Sequence, residues 1–407
     1  MPKRVMITGI GVVSPVGVGA DAFWSSLILG TSGIAPATLF STTQWPSHCV
    51  AEVKDADKLL PAARKWAFAR SITLAVSAAR LALSDAGIEI CDKTGDETGV
   101  VYGATLGCLK LLAHFDQQSL REGPRLCDPM AFPDTGVSAP SCRVSIELGL
   151  RAFNTTLSNG QTSGLDAIAY AASFIRNGRA STVLAGGVEE LCEETFFGHH
   201  RLGLLATPCN GTAEFCRPFD RERNGLVLGE GSAVLVLEDY EHARSRGAKM
   251  LAEFRGYGSA FHPDGFDARG NDATRAIEQA LRHATIAKSD IGAIFANANS
   301  GRAADRMESV VLAKVFQDGQ PAITAIKSMV GESYSAAGAM QAAASVLSLT
   351  HRMVPPTIGY LHADPANPPV AVVTRAVPFD RPAVIVNAFG CNGNNASLVL
   401  TSPEMGD

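Results

Sequence analysis

Charged side chains are scarce in this chain of 407 residues. Asp, Glu, Lys and Arg make up 18% of it and aromatic residues 7%, against 46% hydrophobic residues. A disordered or solvating polymer is thereby excluded, because such chains combine low hydrophobicity with high net charge. The excess of one sign is small too, and a net charge of -5 gives no support to a nucleic-acid partner. Long apolar runs are missing. The most apolar late stretch, 336–349, is interrupted by Gln341 and is too short to span a bilayer, so a buried helix is expected there and no membrane partner. After Pro2-Lys3-Arg4 the apolar residues are broken by Gly9, Gly11, Pro15, Gly17 and Gly19, which argues against a secretion signal. The nine cysteines are scattered, with Cys209 and Cys216 the only close pair, and the odd count leaves one unpaired. Reduced thiols and a cytoplasmic location are the simplest expectation. No metal is expected: His199 and His200 are adjacent and do not face one ion, and the close cysteines have no second ligand pair. Gly9-Ile10-Gly11 begins like a dinucleotide fingerprint, but the third glycine is absent and Pro15 stands where the helix should extend. No cofactor is expected.

What is present is an alternation of short β-branched runs with helical stretches. Strands are expected at 4–8, 98–102, 181–185, 232–237, 291–296, 322–326, 383–387 and 397–401, several of them apolar on successive residues as strands covered on both faces must be. Helices are expected at 71–86, stopping at Gly87, at 163–177, stopping at Gly178, and at 272–287. The pattern argues for α/β layers around a largely buried sheet. It begins again near residue 250, which divides the chain into 1–250 and 251–407, to within about ten residues. The charge run Asp220-Arg221-Glu222-Arg223 has the look of a solvated turn, whereas the glycines that follow, 225, 229 and 231, suggest backbone passing close to something.

The segment 155–178 carries the most chemistry: a strand end, the small-residue turn Ser158-Asn159-Gly160-Gln161-Thr162-Ser163-Gly164, then a helix with Ala and Gly on its packing face. A sharp turn of this kind exposes one side chain at a helix N-terminus, where free N–H groups and the positive dipole end lower a thiol pKa and bind an oxyanion. The occupant is Gln161. A carboxamide neither ionises nor attacks a thioester, so it can carry no acyl intermediate. An ordinary helix cap with a polar neighbour explains the segment equally well.

Taken with MITGIGVVSPVG, GPRLCDPMAFP, STVLAGGVEE, CRPFDRERNGLVLGEGSAVLVLEDYEHARSRGAK, AIKSMVGESYSAAGA and VNAFGCNGNNASLVL, the elbow SNGQTSGLDA makes the chain resemble the β-ketoacyl-ACP synthase family from end to end. The resemblance implies a thiolase-like five-layer αβαβα sandwich of two similar halves that works as a dimer. It implies cysteine at Gln161 in active members, and two histidines that stabilise the enolate and oxyanion, which fall here at Asn297 and Glu332. Lys327 is retained. A carboxylate at Glu332 is expected to repel a developing enolate, the reverse of what such a site requires. In the glycine-rich tail the usual gating phenylalanine appears as Cys391, while Phe389 is kept.

Loss of all three reacting groups resembles one subgroup, the chain length factor, or ketosynthase β subunit, of type II polyketide synthases, in which Gln at the elbow is typical. The resemblance implies a non-catalytic subunit that pairs with an active ketosynthase α subunit, whose cysteine takes the chain from an acyl carrier protein, and that shapes the tunnel holding the growing polyketide, aromatic systems being the larger precedent. Tunnel and interface positions map onto 105–112 and 129–133, so Leu106, Cys108, Leu109, Leu112, Met130 and Phe132 are candidates for tunnel lining or for plain interface core. The basic pair Arg64 and Lys65 is a candidate contact for an acidic carrier. The alternative is a malonyl-ACP decarboxylase that uses Gln161 for chain priming; related modules ordinarily keep both histidines, and Asn297 and Glu332 count against it. Condensation through Cys108 or Cys142 lacks an elbow or histidine context.

Overall fold

The computed structural model describes residues 3–60, 69–208, 214–317 and 319–406. Arg64, Lys65 and Cys209 lie outside the described residues. Ten strands form the frame: β1 (Val5–Ser14), β2 (Thr98–Ala104), β3 (Asn154–Leu157), β4 (Thr182–Glu189), β5 (Gly231–Asp239), β6 (Ala252–Phe261), β7 (Ile291–Phe295), β8 (Ala322–Thr324), β9 (Ala383–Phe389) and β10 (Asn394–Thr401). All eight expected strands are among them. The largest omission from the sequence reading is β6, whose Glu253 and Arg255 interrupt the apolar pattern; Glu253 is buried against Arg4 at 2.8 Å.

The strands run in the order β8-β7-β9-β10-β6-β1-β5-β4-β2-β3. Within β1–β5, β2 pairs in parallel with β3 and β4, and β5 pairs antiparallel with β4 and β1. Within β6–β10, β7 pairs in parallel with β8 and β9, and β10 pairs antiparallel with β9 and β6. The two sets therefore have one topology, and they meet where Val5–Ile7 of β1 pairs antiparallel with 252–254 of β6.

Helices complete five layers. Helix α1 (Arg70–Asp85) covers the outer face of the first sheet; α2 (Leu109–Glu122) packs on the 3-10 turns at 124–126 and 132–135; α3 (Ser163–Arg176) packs between the sheets; α4 (Glu193–Arg201) follows β4 and packs on α2. In the second set α5 (Asn271–Ala284) and α6 (Arg302–Val315) form the outer layer, and α7 (Tyr334–His351) joins α3 in the middle. Residues 335–349 of α7 are all buried, as a helix enclosed by two sheets and another helix must be. Among the described residues no helix is long and apolar enough to cross a membrane.

The Gly-Ile-Gly of β1 has a packing role, and the second half repeats it. A Cβ on Gly9 or Gly11 would stand 2.6 and 1.9 Å from the carbonyl oxygens of Ala82 and Ala78 on α1; one on Gly256 or Gly258 would stand 2.3 and 2.0 Å from those of Ala280 and Ala276 on α5. Each outer helix thus rests directly on strand backbone. Only half of the charge run is solvated: Arg221 and Glu222 are exposed, whereas Asp220 and Arg223 are buried, and Asp220 accepts from the N–H groups of Leu361 and His362, both at 2.7 Å. The expected close approach of Gly229 is present, its Cβ position lying 2.2 Å from the Val330 carbonyl oxygen.

Gly11→Ala and Gly258→Ala should each cost about 1–3 kcal/mol, the usual penalty of overpacking. Urea denaturation midpoints check this; unchanged midpoints for both would show that the helices can lift off without loss.

Candidate functional site

The elbow forms as expected from its sequence. Gly160 takes a left-handed φ of 69°, a single 3-10 turn spans Gly160–Thr162, and α3 begins at Ser163. Ser163 Oγ donates to the Gly160 carbonyl at 2.7 Å and accepts from the Asn159 N–H at 2.7 Å, while Asp166 accepts from Asn159 Nδ2 and Thr162 Oγ1 at 2.8 and 2.9 Å. Gln161 is nearly buried. Its carboxamide lies 3.8 Å (Nε2) and 3.9 Å (Oε1) from the Cys391 sulfur, so the elbow faces the glycine-rich tail.

Asn297, Lys327 and Glu332 come together in one buried network. Lys327 Nζ donates to Asn297 Oδ1 at 3.0 Å and to Glu332 Oε2 at 2.9 Å. Asn297 Nδ2 donates to the Phe389 carbonyl at 3.1 Å, which links the network to the tail that Gln161 touches. Asn299, not singled out in the sequence, donates through Nδ2 to Glu332 Oε2 at 2.6 Å, and the Tyr334 N–H donates to Oε1 at 2.9 Å. The expectation of a repelling carboxylate at Glu332 needs correction. Both side chains of the Lys327–Glu332 pair are 1% exposed, and they cancel each other's charge. The site is therefore electrically neutral, with no positive charge left over for an enolate.

The loops that hold these groups hang on buried carboxylates that the sequence reading missed. Glu308 on α6 accepts from the N–H groups of Asn297 and Ala298 at 3.0 and 2.8 Å and from Asn387 Nδ2 at 3.1 Å; burial pushes its carboxyl up to about 7 against the pull of these bonds. Asp305 accepts from the N–H groups of Asn299, Ser300 and Phe219, and burial pushes it up to about 6. Tyr334 has φ of +47°, a strained value for a bulky residue, and its hydroxyl bonds His199 Nε2. His199 Nδ1 lies 2.7 Å from the Thr195 carbonyl oxygen, so both of its nitrogens are engaged.

The tunnel candidates separate. Leu106 and Leu109 are half-buried, and Leu112, Met130 and Phe132 are exposed, Met130 by 78% and Phe132 by 64%. Glu189 fixes the start of this segment by accepting from the N–H groups of Thr105 and Leu106 at 3.1 and 2.9 Å, and Phe115 on α2 packs on Phe132. Cys108 does not belong with them. It is fully buried in the first-half core, within 3.1 Å of Ser71 Oγ, and burial raises its thiol to about 12, so it neither faces a partner nor serves as a nucleophile. The Phe389 side chain is likewise core, and only its carbonyl faces the site, whereas Cys391 is exposed.

Glu332→Gln leaves Lys327 buried without a counter-ion and should destabilise the chain by about 3–5 kcal/mol. The double variant Lys327→Met, Glu332→Gln should recover most of that loss in urea denaturation. A cost of Glu332→Gln below about 1 kcal/mol, typical of a solvated pair, would contradict the geometry.

Residues 2–243 match the β-ketoacyl synthase N-terminal domain, and residues 251–361 match the β-ketoacyl synthase C-terminal domain. The chain is 34% identical to the 3-oxoacyl-[acyl-carrier-protein] synthase 2 of Vibrio harveyi over 98% of each chain. Among solved structures it is similar to the ishigamide ketosynthase/chain length factor, at 33% identity with a TM-score of 0.90, over 99% of this chain and 100% of that one. It is also similar to a type II polyketide synthase ketosynthase bound to the hexaketide and in complex with its acyl carrier protein (AntDE:AntF), at 29% identity with a TM-score of 0.88, over 99% and 100%. Matched by both domain models and along its length by these relatives, the chain belongs to the β-ketoacyl synthase family.

Proposed function

We propose that this chain is the chain length factor of a type II polyketide synthase: a subunit without condensation chemistry of its own that pairs with an active ketosynthase α subunit and shapes the polyketide tunnel. The observation that carries this is the neutral site. Gln161 offers no nucleophile, and the retained Lys327 is held by Glu332 at 2.9 Å. Transfer of a chain from the carrier protein needs a thiolate, which only the partner would provide. The malonyl-ACP decarboxylase alternative lacks support, since its enolate also needs stabilising and neither Asn297 nor Glu332 supplies an imidazole.

The surface favours a partner. Strand β3 ends the sheet, and its outer edge pairs with no strand among the described residues, whereas the opposite edge at β8 is bonded by the 371–373 segment at 2.9 and 3.0 Å. An open edge invites pairing with another chain. In the same half α2 has no buried residue, and Leu112, Leu120, Leu126, Met130, Phe132 and Ile146 are exposed. Apolar exposure of this kind in a chain with so large a core marks a protein contact. Leu106, Leu109, Leu112, Met130 and Phe132 are assigned to that contact or to the tunnel crossing it, with the halves divided near residue 250 and the pair working in the cytoplasm.

Co-expressed with its cysteine-bearing partner, the chain should elute in mass-resolved size exclusion as one copy of each. A stable homodimer that ignores the partner would sink the proposal.

Phe132→Ala and Leu112→Ala should leave the stability of the lone chain within about 0.5 kcal/mol, as for surface substitutions. In the purified pair the removed bulk leaves room for further ketide units, so product masses should shift upward. Intact pairs that all give an unchanged product distribution would make these residues interface core alone.

A further inference from the structure

Tyr334 opens α7 with a φ of +47°, a left-handed value that glycine or asparagine takes readily and a bulky ring does not. Strain of this kind persists only where the surroundings fix it, and here they do. The Tyr334 N–H donates to Glu332 Oε1 at 2.9 Å. The Ser335 carbonyl oxygen that follows is clamped, since a Cβ on Gly164 or Gly187 would stand 2.2 and 2.3 Å from it. The Ser335 hydroxyl lies 2.7 Å from Glu189, the carboxylate that also holds Thr105 and Leu106. A glycine at 334 would satisfy every one of these contacts with less strain, so it is the ring that needs a reason.

The surroundings of the ring supply one. The start of α7 packs on the 3-10 turn that carries Gln161. Burial, with Glu332, Cys391 and Glu189 nearby, raises the Tyr334 phenol, which therefore stays a neutral donor next to the tail that Gln161 touches. Its hydroxyl bonds His199 Nε2, and the two rings meet edge to face with centroids 5.4 Å apart. His199 is in turn pinned on α4 by its Nδ1, 2.7 Å from the Thr195 carbonyl oxygen. The Tyr334 ring is half-buried against an apolar cluster of Val50, Leu191, Phe196, Leu205, Leu226 and Leu228. One ring, bonded across from α7 to α4, thus stands between the face of Gln161 and Cys391 and an apolar interior. Taking a large ring out of such a place leaves an apolar cavity, and cavities of that kind stay dry and accept apolar guests.

We infer that Tyr334, latched by His199, is a plug that shuts the apolar space behind this chain's elbow to acyl chains. The inference deepens the reading above and rests on it for the route of the polyketide alone: a chain held on the partner's cysteine meets this subunit at 105–112 and 129–133 and is denied the space beside Gln161. Alkylation of the full chain by iodoacetamide, followed at each cysteine by peptide mass spectrometry with and without decanoate, tests the plug. Cys391 is exposed and reports on the elbow, while the exposed Cys91 and Cys142 serve as controls. In the parent chain decanoate should leave the Cys391 rate unchanged. Tyr334→Gly suits the left-handed φ and removes the ring, so decanoate held about ten times above its dissociation constant should slow Cys391 alkylation by about tenfold and leave the controls alone. Tyr334→Phe keeps the ring and should behave as the parent. His199→Ala frees the ring without touching the backbone at 334 and should gain protection too, which keeps the test open should the glycine variant not fold. Decanoate protection of Cys391 in the parent overturns the inference. So does a lack of protection in whichever of the Tyr334→Gly and His199→Ala chains melt cooperatively, or protection of Tyr334→Phe equal to that of Tyr334→Gly. The assay uses no partner, so its failure leaves the pairing proposal standing, and a homodimer in size exclusion leaves the plug standing.

Discussion

Carboxylates buried where strands end are the constraint on which the site depends. Glu189, Glu190, Glu230, Asp305 and Glu308 are all buried, and each accepts from backbone N–H groups of loops or helix first turns that have no ladder partner there. A loop that enters the interior carries donors that must be satisfied, and one carboxylate can take two or three of them. Glu190 binds the N–H groups of Ser71 and Lys110 at 3.0 Å each, fixing the starts of α1 and α2 together. Glu230 does the same for Val53 and Leu191, with Arg70 as counter-ion at 2.5 Å. The face that carries the elbow is thus held by side chains that take no part in its chemistry.

That separation explains how the scaffold keeps its shape with a neutral centre. Gln161 hangs from an elbow shaped by Gly160, Ser163 and Asp166, and none of those bonds involves the Gln161 side chain. Asn297 is placed by its backbone N–H on Glu308. Glu332 is different, because its carboxylate is the counter-ion of Lys327 and also holds Tyr334 in a strained conformation. Its replacement disturbs the packing as well as the charge of the site.

Much of this was legible in the sequence, and the gaps have physical causes. Strands covered on both faces are apolar throughout, so β1, β4, β5 and β9 stand out. Strand β6 does not, because its Glu253 is a buried charge balanced by Arg4, distant in sequence, and by Arg255 two residues on. The identity of the residues at 161, 297, 327 and 332 could be read from the motifs. That Lys327 and Glu332 neutralise each other could not, since five residues of separation do not fix which way two side chains turn. The acidic residues after the sheet strands, Glu189 and Glu190 in particular, read as surface charge by type alone; only their loop partners reveal them as anchors. Cys108 was misplaced for the opposite reason: its neighbours Leu106 and Leu109 stay half-buried, while the N-cap position at the head of α2 turns its sulfur into the core.

The Gly-x-Gly pairs extend this reasoning to the history of the fold. Strand order, strand direction and the close helix contacts at Gly9, Gly11, Gly256 and Gly258 repeat between the halves. Chemistry-bearing positions do not repeat: the elbow glutamine belongs to the first half, and Asn297, Lys327 and Glu332 to the second. The repeated features are those a two-sheet sandwich needs for its outer helices to lie flat on strand backbone, and the unrepeated ones sit where the halves meet at the tail around Phe389 and Cys391. Selection on packing can therefore act on both halves alike, while the groups at the junction change together. Replacement of Glu332 by a cationic or neutral group would have to go in step with its partner Lys327, because either change alone leaves a buried charge exposed to the full cost of desolvation.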